Sequence, residues 1–231
     1  MTAATREIVL LSDPRVAAIP VEEAGDPLVH LASFGDISVA KGAPAPPLGV
    51  RRGSLGPVHA LVRQGLAVRL ARAARRLPPE LRLHIVEGYR PPELQRAYFE
   101  AYRARLLRDD PSLAAAESHL LASRFVAPPA VAAHPSGAAV DLTLVDRDGQ
   151  PLDMGTPIDA TPEESRGACF LDAPNITAEA RANRGLLAAA LDAEGLVNYP
   201  TEWWHWSYGD RYWAFATGRA AASYGPAAGG A

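Results

Sequence analysis

The sequence predicts an α+β domain, with helices packed on a small, mostly antiparallel sheet. Three observations predict it. Four stretches, 57–77, the residues after 91, 111–124 and 177–194, carry apolar residues at helical spacing. Three others, 81–86, 138–145 and 196–208, are short, apolar and enriched in β-branched or aromatic residues, as strands are. The length of 231 residues fits one domain, because single cores stop growing near roughly 250 residues.

Taken in order, residues 1–50 are punctuated by Pro and Gly and read as an irregular wrapping segment, with short apolar runs at 8–11 and 37–39 that offer a strand or two. KGAPAPPLG (41–49) is a loop, because proline removes donors and fixes φ. Val58, Val62, Leu66, Leu70, Ala73 and Leu77 form one face of a helix ended by Pro78-Pro79. Its arginines (Arg69, Arg72, Arg75 and Arg76) read as a solvated face. The strand at 81–86 runs into GYRPP (88–92), whose prolines open a second helix with Leu94, Tyr98, Tyr102 and Leu106 on one side. A third helix covers 111–124, and the strand AAVDLTLV follows at 138–145. The Gly/Pro/Asp-rich loop at 148–175 is long enough to be functional. Thr177 suits the cap region of the fourth helix and Gly195 its C-terminal stop. Residues 219–231 are small and Gly/Pro-rich and read as a disordered tail, which leaves 1–218 as a single domain.

Composition narrows the function. A hydrophobic share of 48% and a charged share of 21% are those of a soluble globular chain. Twenty-three basic against 26 acidic residues leave a net charge of −3, with no basic excess for nucleic acid. A single cysteine excludes an internal disulfide and any CxxC-type metal site, so a bound metal must be held by His and carboxylates. The run IVLL (8–11) is broken by Ser12-Asp13-Pro14 too soon for a signal sequence, and no stretch approaches the roughly 20 apolar residues that span a bilayer. A soluble, cytoplasmic protein without nucleic-acid or membrane partners is expected.

Two segments have a composition that packing does not explain: HPSGAAVD at 134–141 and EWWH at 202–205. Zinc in a hydrolase takes three protein ligands, typically imidazoles and a carboxylate, and keeps a fourth position for water. His134, Asp141 and His205 supply that set, and Gly137 allows the tight turn between the first two. Asp141 sits on a strand whose neighbours Val140 and Leu142 face the other way, into the core. Glu202 and His205 stand three residues apart, so they reach one metal only if the chain bends, and Pro200-Thr201 just before them favours a bend. Glu202 is then the base that takes a proton from the attacking water and returns it to the leaving amine. Arg90, held extended by Pro91, is placed to hydrogen-bond a developing oxyanion, and pairing with Glu87 or Glu93 is its structural alternative.

Taken singly, HxxxxxxD and ExxH are weak signals, and Trp203, Trp204 and Trp206 also suit a core. Together, each after a turn, they favour the metal. His30, His59, His84 and His119 read as structural, and Cys169 as a buried small hydrophobe.

EGYRPPELQRAYF, HPSGAAVDLTLVD, LDMGTPID and NYPTEWWHWSYGDRYWAF together resemble the VanX-type D-alanyl-D-alanine dipeptidases. That family belongs to a zinc peptidase class shared with DD-carboxypeptidases and the Hedgehog fold. The resemblance covers about residues 87–215. It implies one zinc per chain on His134, Asp141 and His205, Glu202 as catalytic base and Arg90 as transition-state stabiliser. It also implies hydrolysis of a small free dipeptide, with D-Ala-D-Ala the first choice. The chain departs from the family at Ala132, where a serine is usual, which leaves Ser136, after the histidine, as the hydroxyl expected to contact substrate. Asp153 or Asp159 is expected to meet the substrate ammonium, although Asp153 equally suits a turn cap, and Trp203 or Trp204 to wall a tight pocket. Two alternatives stand beside this: a sibling enzyme (a DD-carboxypeptidase, a murein endopeptidase or a biosynthetic D-amino-acid dipeptide hydrolase), and a non-catalytic zinc-stabilised binding module.

Overall fold

The computed structural model describes residues 8–35, 37–42 and 58–227. In chain order the elements are α1 (Pro14–Ala17), β1 (Leu28–His30), β2 (Ile37–Val39), β3 (Leu61–Arg63), α2 (Gln64–Ala74), β4 (Arg82–Glu87), α3 (Pro92–Asp109), α4 (Ala115–Ala122), β5 (Ala139–Val145), α5 (Ala178–Asp192), β6 (Val197–Asn198), β7 (His205–Ser207) and α6 (Arg211–Thr217). The α+β expectation holds. A five-stranded sheet runs in the order β2-β4-β5-β7-β6, with only the β2–β4 pair parallel, and β1 and β3 form a separate antiparallel pair.

The central strand β5 is buried along its whole length. Val140, Leu142 and Leu144 point to one face, where Leu66 and Leu70 of α2 and Leu187 and Leu191 of α5 cover them together with Leu83 and Ile85. A second apolar cluster, Leu94, Tyr98, Phe99, Tyr102 and Leu106 with Ala122 and Val126, binds α3 to α4. The opposite face of β5, with Asp141 on it, is left for polar chemistry. Thr177 caps α5 by accepting from the Ala180 N–H. The same helix closes on Gly195 (φ 76°), with the Gly195 N–H bonded to Asp192 O and the Leu196 N–H to Leu191 O.

Three expectations need correction. The helix at 57–77 is shorter: 58–60 is a 3-10 turn and 61–63 is β3, so helix begins at Gln64. Val62 lies opposite Val29 in a strand pair, and its spacing to Leu66 mimicked a helical period. The tail is ordered as far as residue 227: Ala222, Tyr224 and Ala227 are buried, and Val21 bridges Ala222. Aromatic and small residues that fit prepared slots override a composition that suggests disorder. The run at 8–11 is not a strand, although Leu11 is buried. The short helices α1 and α6 were not anticipated. Most of the loop expected at 41–49 lies outside the described residues. Among the described residues no helix is long and apolar enough to cross a membrane.

Candidate metal centre

Strand register assembles the site. Asp141 lies opposite His205 on β7 and opposite Glu87 on β4, so three side chains form one row across the sheet. Leu142 pairs with Ile85, and a regular ladder would then set Val86 against Asp141. A bulge between Ile85 and Glu87 puts Glu87 there instead. His134 arrives from a 3-10 turn, His134–Ser136, that stops at Gly137 with φ 69°. A side chain at Gly137 would run into Leu28 and the backbone of Arg63, so only glycine fits.

His134 Nε2 stands 3.3 Å from Asp141 Oδ2, and His205 Nδ1 stands 3.0 Å from Asp141 Oδ1. The imidazoles lie with ring centres 4.9 Å apart and planes at 74°. One ligand atom from each residue falls within 4.8 Å of the other two, and all three residues are buried. Ligands about 2.1 Å from a tetrahedral zinc stand about 3.4 Å from one another, so the donors fit that ion. His134 Nδ1 lies 2.7 Å from Gly88 O, which fixes the ring and leaves Nε2 facing the other donors. Burial would raise the Asp141 carboxyl. The flanking imidazoles, His134 above all, outweigh it and hold Asp141 well below the usual carboxylate range.

Between β6 and β7 the chain turns: the Glu202 N–H donates to Tyr199 O and the His205 N–H to Glu202 O. The turn carries Glu202 Oε2 to 3.9 Å from His205 Nδ1. Burial, reinforced by the carboxylates of Asp141 and Asp159 and opposed by Arg90, pushes the Glu202 carboxyl well up. Arg90 is buried and donates to Glu87 through Nη2 at 2.6 Å and Nε at 3.1 Å, and to Gln95 Oε1 at 2.9 Å. Nη2 also stands 3.8 Å from Asp141 Oδ2. The pairing with Glu87 weighed from the sequence is thus present, in a side chain that also lines the site pocket.

That pocket is bounded by the three ligands, Glu87, Arg90, Asp159 and Glu202 on its polar side and by Leu11, Tyr98, Phe125, Tyr199 and Trp204 on its apolar side. Of the five expected substrate contacts, Asp159 and Trp204 line it. Asp159 does so from a left-handed backbone, φ 64°, which L residues adopt at a cost. The other three do not reach it. Ser136 donates its hydroxyl to Ala133 O. Asp153 accepts from the Gly155 N–H and the Thr177 hydroxyl, the capping alternative. Trp203 is a core residue whose indole N–H donates to Thr156 Oγ1. Glu87, Leu11 and Tyr199 were missed as pocket residues; only the bulge, which no sequence pattern marks, turns Glu87 inward.

The family model described as D-Ala-D-Ala dipeptidase, peptidase M15, matches residues 58–219, a span containing His134, Asp141 and His205 and every strand of the five-stranded sheet except β2. The chain belongs to that family. As a member of the D-Ala-D-Ala dipeptidase family it is a metallopeptidase. It is 28% identical over 220 residues to the D-alanyl-D-alanine dipeptidase of Synechocystis sp., covering 86% of this chain and 88% of that one. It is 40% identical over 72 residues to the D-alanyl-D-alanine dipeptidase of Escherichia coli K12, covering 31% of this chain and 35% of that one. A crystal structure of a mutant of the vancomycin-resistance D,D-pentapeptidase VanY in complex with Zn(II) is similar at a TM-score of 0.34 and 16% identity, covering 79% of this chain and 93% of that chain.

Proposed function

We propose that the protein hydrolyses small free dipeptides, D-Ala-D-Ala foremost, with one zinc ion held by His134, Asp141 and His205. The observation that carries this reading is the convergence of those three donors and the Glu202 carboxyl on one small, largely enclosed pocket. Family membership and two relatives that are D-alanyl-D-alanine dipeptidases support the choice of substrate.

Zinc bound there supplies Lewis acidity and lowers the pKa of water to near neutrality. Glu202 takes the proton of the attacking water and passes it to the leaving amine. Arg90, fixed in direction by Glu87 and Gln95, donates to the oxyanion that develops on the scissile carbonyl. Asp159 receives the substrate ammonium, and Trp204 with Tyr98 and Phe125 limits the length of chain that enters.

Zinc-loaded protein offered D-Ala-D-Ala, L-Ala-L-Ala, N-acetyl-D-Ala-D-Ala and a pentapeptide ending in D-Ala-D-Ala tests the reading. The free D,D-dipeptide should be cleaved with the highest kcat/KM and the N-acylated compounds poorly. Preference for the acylated pentapeptide would assign a carboxypeptidase instead, and no hydrolysis at all a binding module.

A further inference from the structure

The C-terminal stretch 222–227 packs against the turn that carries His134. Its Ala227 N–H donates to Pro135 O at 2.8 Å. Arg63, at the end of β3, joins the same two parts of the chain. Its backbone N–H donates to Gly137 O at 2.8 Å. Its guanidinium donates to Ser136 O at 2.8 Å, to Gly225 O at 3.1 Å and to Asp26 O at 2.6 Å. Three consecutive carbonyls of the ligand turn are thus each held by one of two residues.

The stretch is itself seated. Tyr224 lies against Gly65 and Gly209, where any side chain would collide with its ring or hydroxyl. Its hydroxyl donates to Asp26 Oδ2 at 2.6 Å, and the Arg63 guanidinium lies 5.3 Å from its ring centre. Backbone bonds from Glu22 and Ala24 to Ala222 and Ser223 tie the stretch to the N-terminal segment. Both segments lie outside residues 58–219, the span of the family match.

We infer that residues 222–227, coupled through Arg63, are a positioning brace that holds the turn 134–137 in metal-binding geometry. The inference rests on the zinc reading above. The brace touches no ligand atom; it fixes the backbone from which the His134 ring projects. Removing a group that hydrogen-bonds a ligand directly typically weakens metal binding about 10–100-fold; a brace on the ligand's backbone acts in the same direction, whereas a purely structural tail would lower stability and leave the affinity alone.

The test measures zinc dissociation constants, by competition with a chromophoric chelator, and melting temperatures on full-length variants. Arg63→Met and Tyr224→Ala should weaken zinc about 10–100-fold. Leu106→Ala, in the separate apolar cluster that binds α3 to α4, should lower the melting temperature and keep the parent's affinity. Ala227→Pro removes the N–H that reaches Pro135 and fixes φ at that one position; it should weaken zinc several-fold and decides the matter if the larger changes prevent folding. Parent affinity in Tyr224→Ala or Ala227→Pro overturns the brace, as does an equal loss in Leu106→Ala. A parent protein that binds no zinc overturns the functional reading instead, so the two failures are distinguishable.

Discussion

Replacing Glu202 by Gln should keep the three ligands and remove the proton acceptor, so zinc content stays at one per chain while kcat falls about 10²–10⁴-fold. Steady-state rates on samples of measured metal content check this, and near-parent turnover would remove Glu202 from the mechanism. Arg90 is a harder residue because it pairs with Glu87 in a buried site. Arg90→Ala takes the guanidinium away from the buried Glu87 carboxylate, and breaking a buried ion pair costs about 3–5 kcal/mol. The double change Glu87→Gln with Arg90→Met removes both charges. It should recover most of that stability in urea unfolding yet still lose about 10²–10³ in kcat, because the oxyanion donor is gone. Recovery of kcat would return Arg90 to a structural role. At this scale the two motifs single out three residues that the fold brings together, His134, Asp141 and His205. The sequence does not separate Asp153 from Asp159 or Trp203 from Trp204. Both aspartates sit in an aperiodic loop, and both tryptophans are buried in one core cluster, of which Trp204 also lines the pocket.

Among the elements, the turn 134–137 is the most exacting. Gly137→Ala forces a side chain into a left-handed residue and against Leu28 and Arg63. The expected cost is about 1–3 kcal/mol, read as a lower urea midpoint with unchanged slope. An unchanged midpoint would show that the turn relaxes freely. Strands β4 and β5 and helices α3 and α5 were legible because each carries an apolar period long enough to be unambiguous. The stretch 58–63 was not, since Val58, Val62 and Leu66 satisfy a helix period while Val62 packs in a two-stranded ladder. The bulge in β4 that turns Glu87 toward Asp141 leaves no mark in composition.

On the scale of the whole molecule, the sheet gathers residues from positions 87 to 205 into one row, and segments near both ends of the described chain hydrogen-bond each other beside the turn that carries His134. The order of residues 222–227 was illegible because their partners, Gly65, Gly209 and Asp26, lie up to about 200 positions away. Zinc that binds only the folded chain stabilises it by about 4 kcal/mol at a thousand times its dissociation constant. A chelator should therefore lower the melting temperature and added zinc restore it; an unchanged melting temperature would mean that the folded chain binds no zinc. The central claim is the identity of the ligands, and a crystal structure of the zinc-loaded protein with anomalous differences across the zinc edge tests it most directly. The account predicts one zinc peak, with His134 Nε2, an Asp141 oxygen and His205 Nδ1 each about 2.0–2.2 Å away. A peak elsewhere, or one that any of these three does not touch, would contradict it.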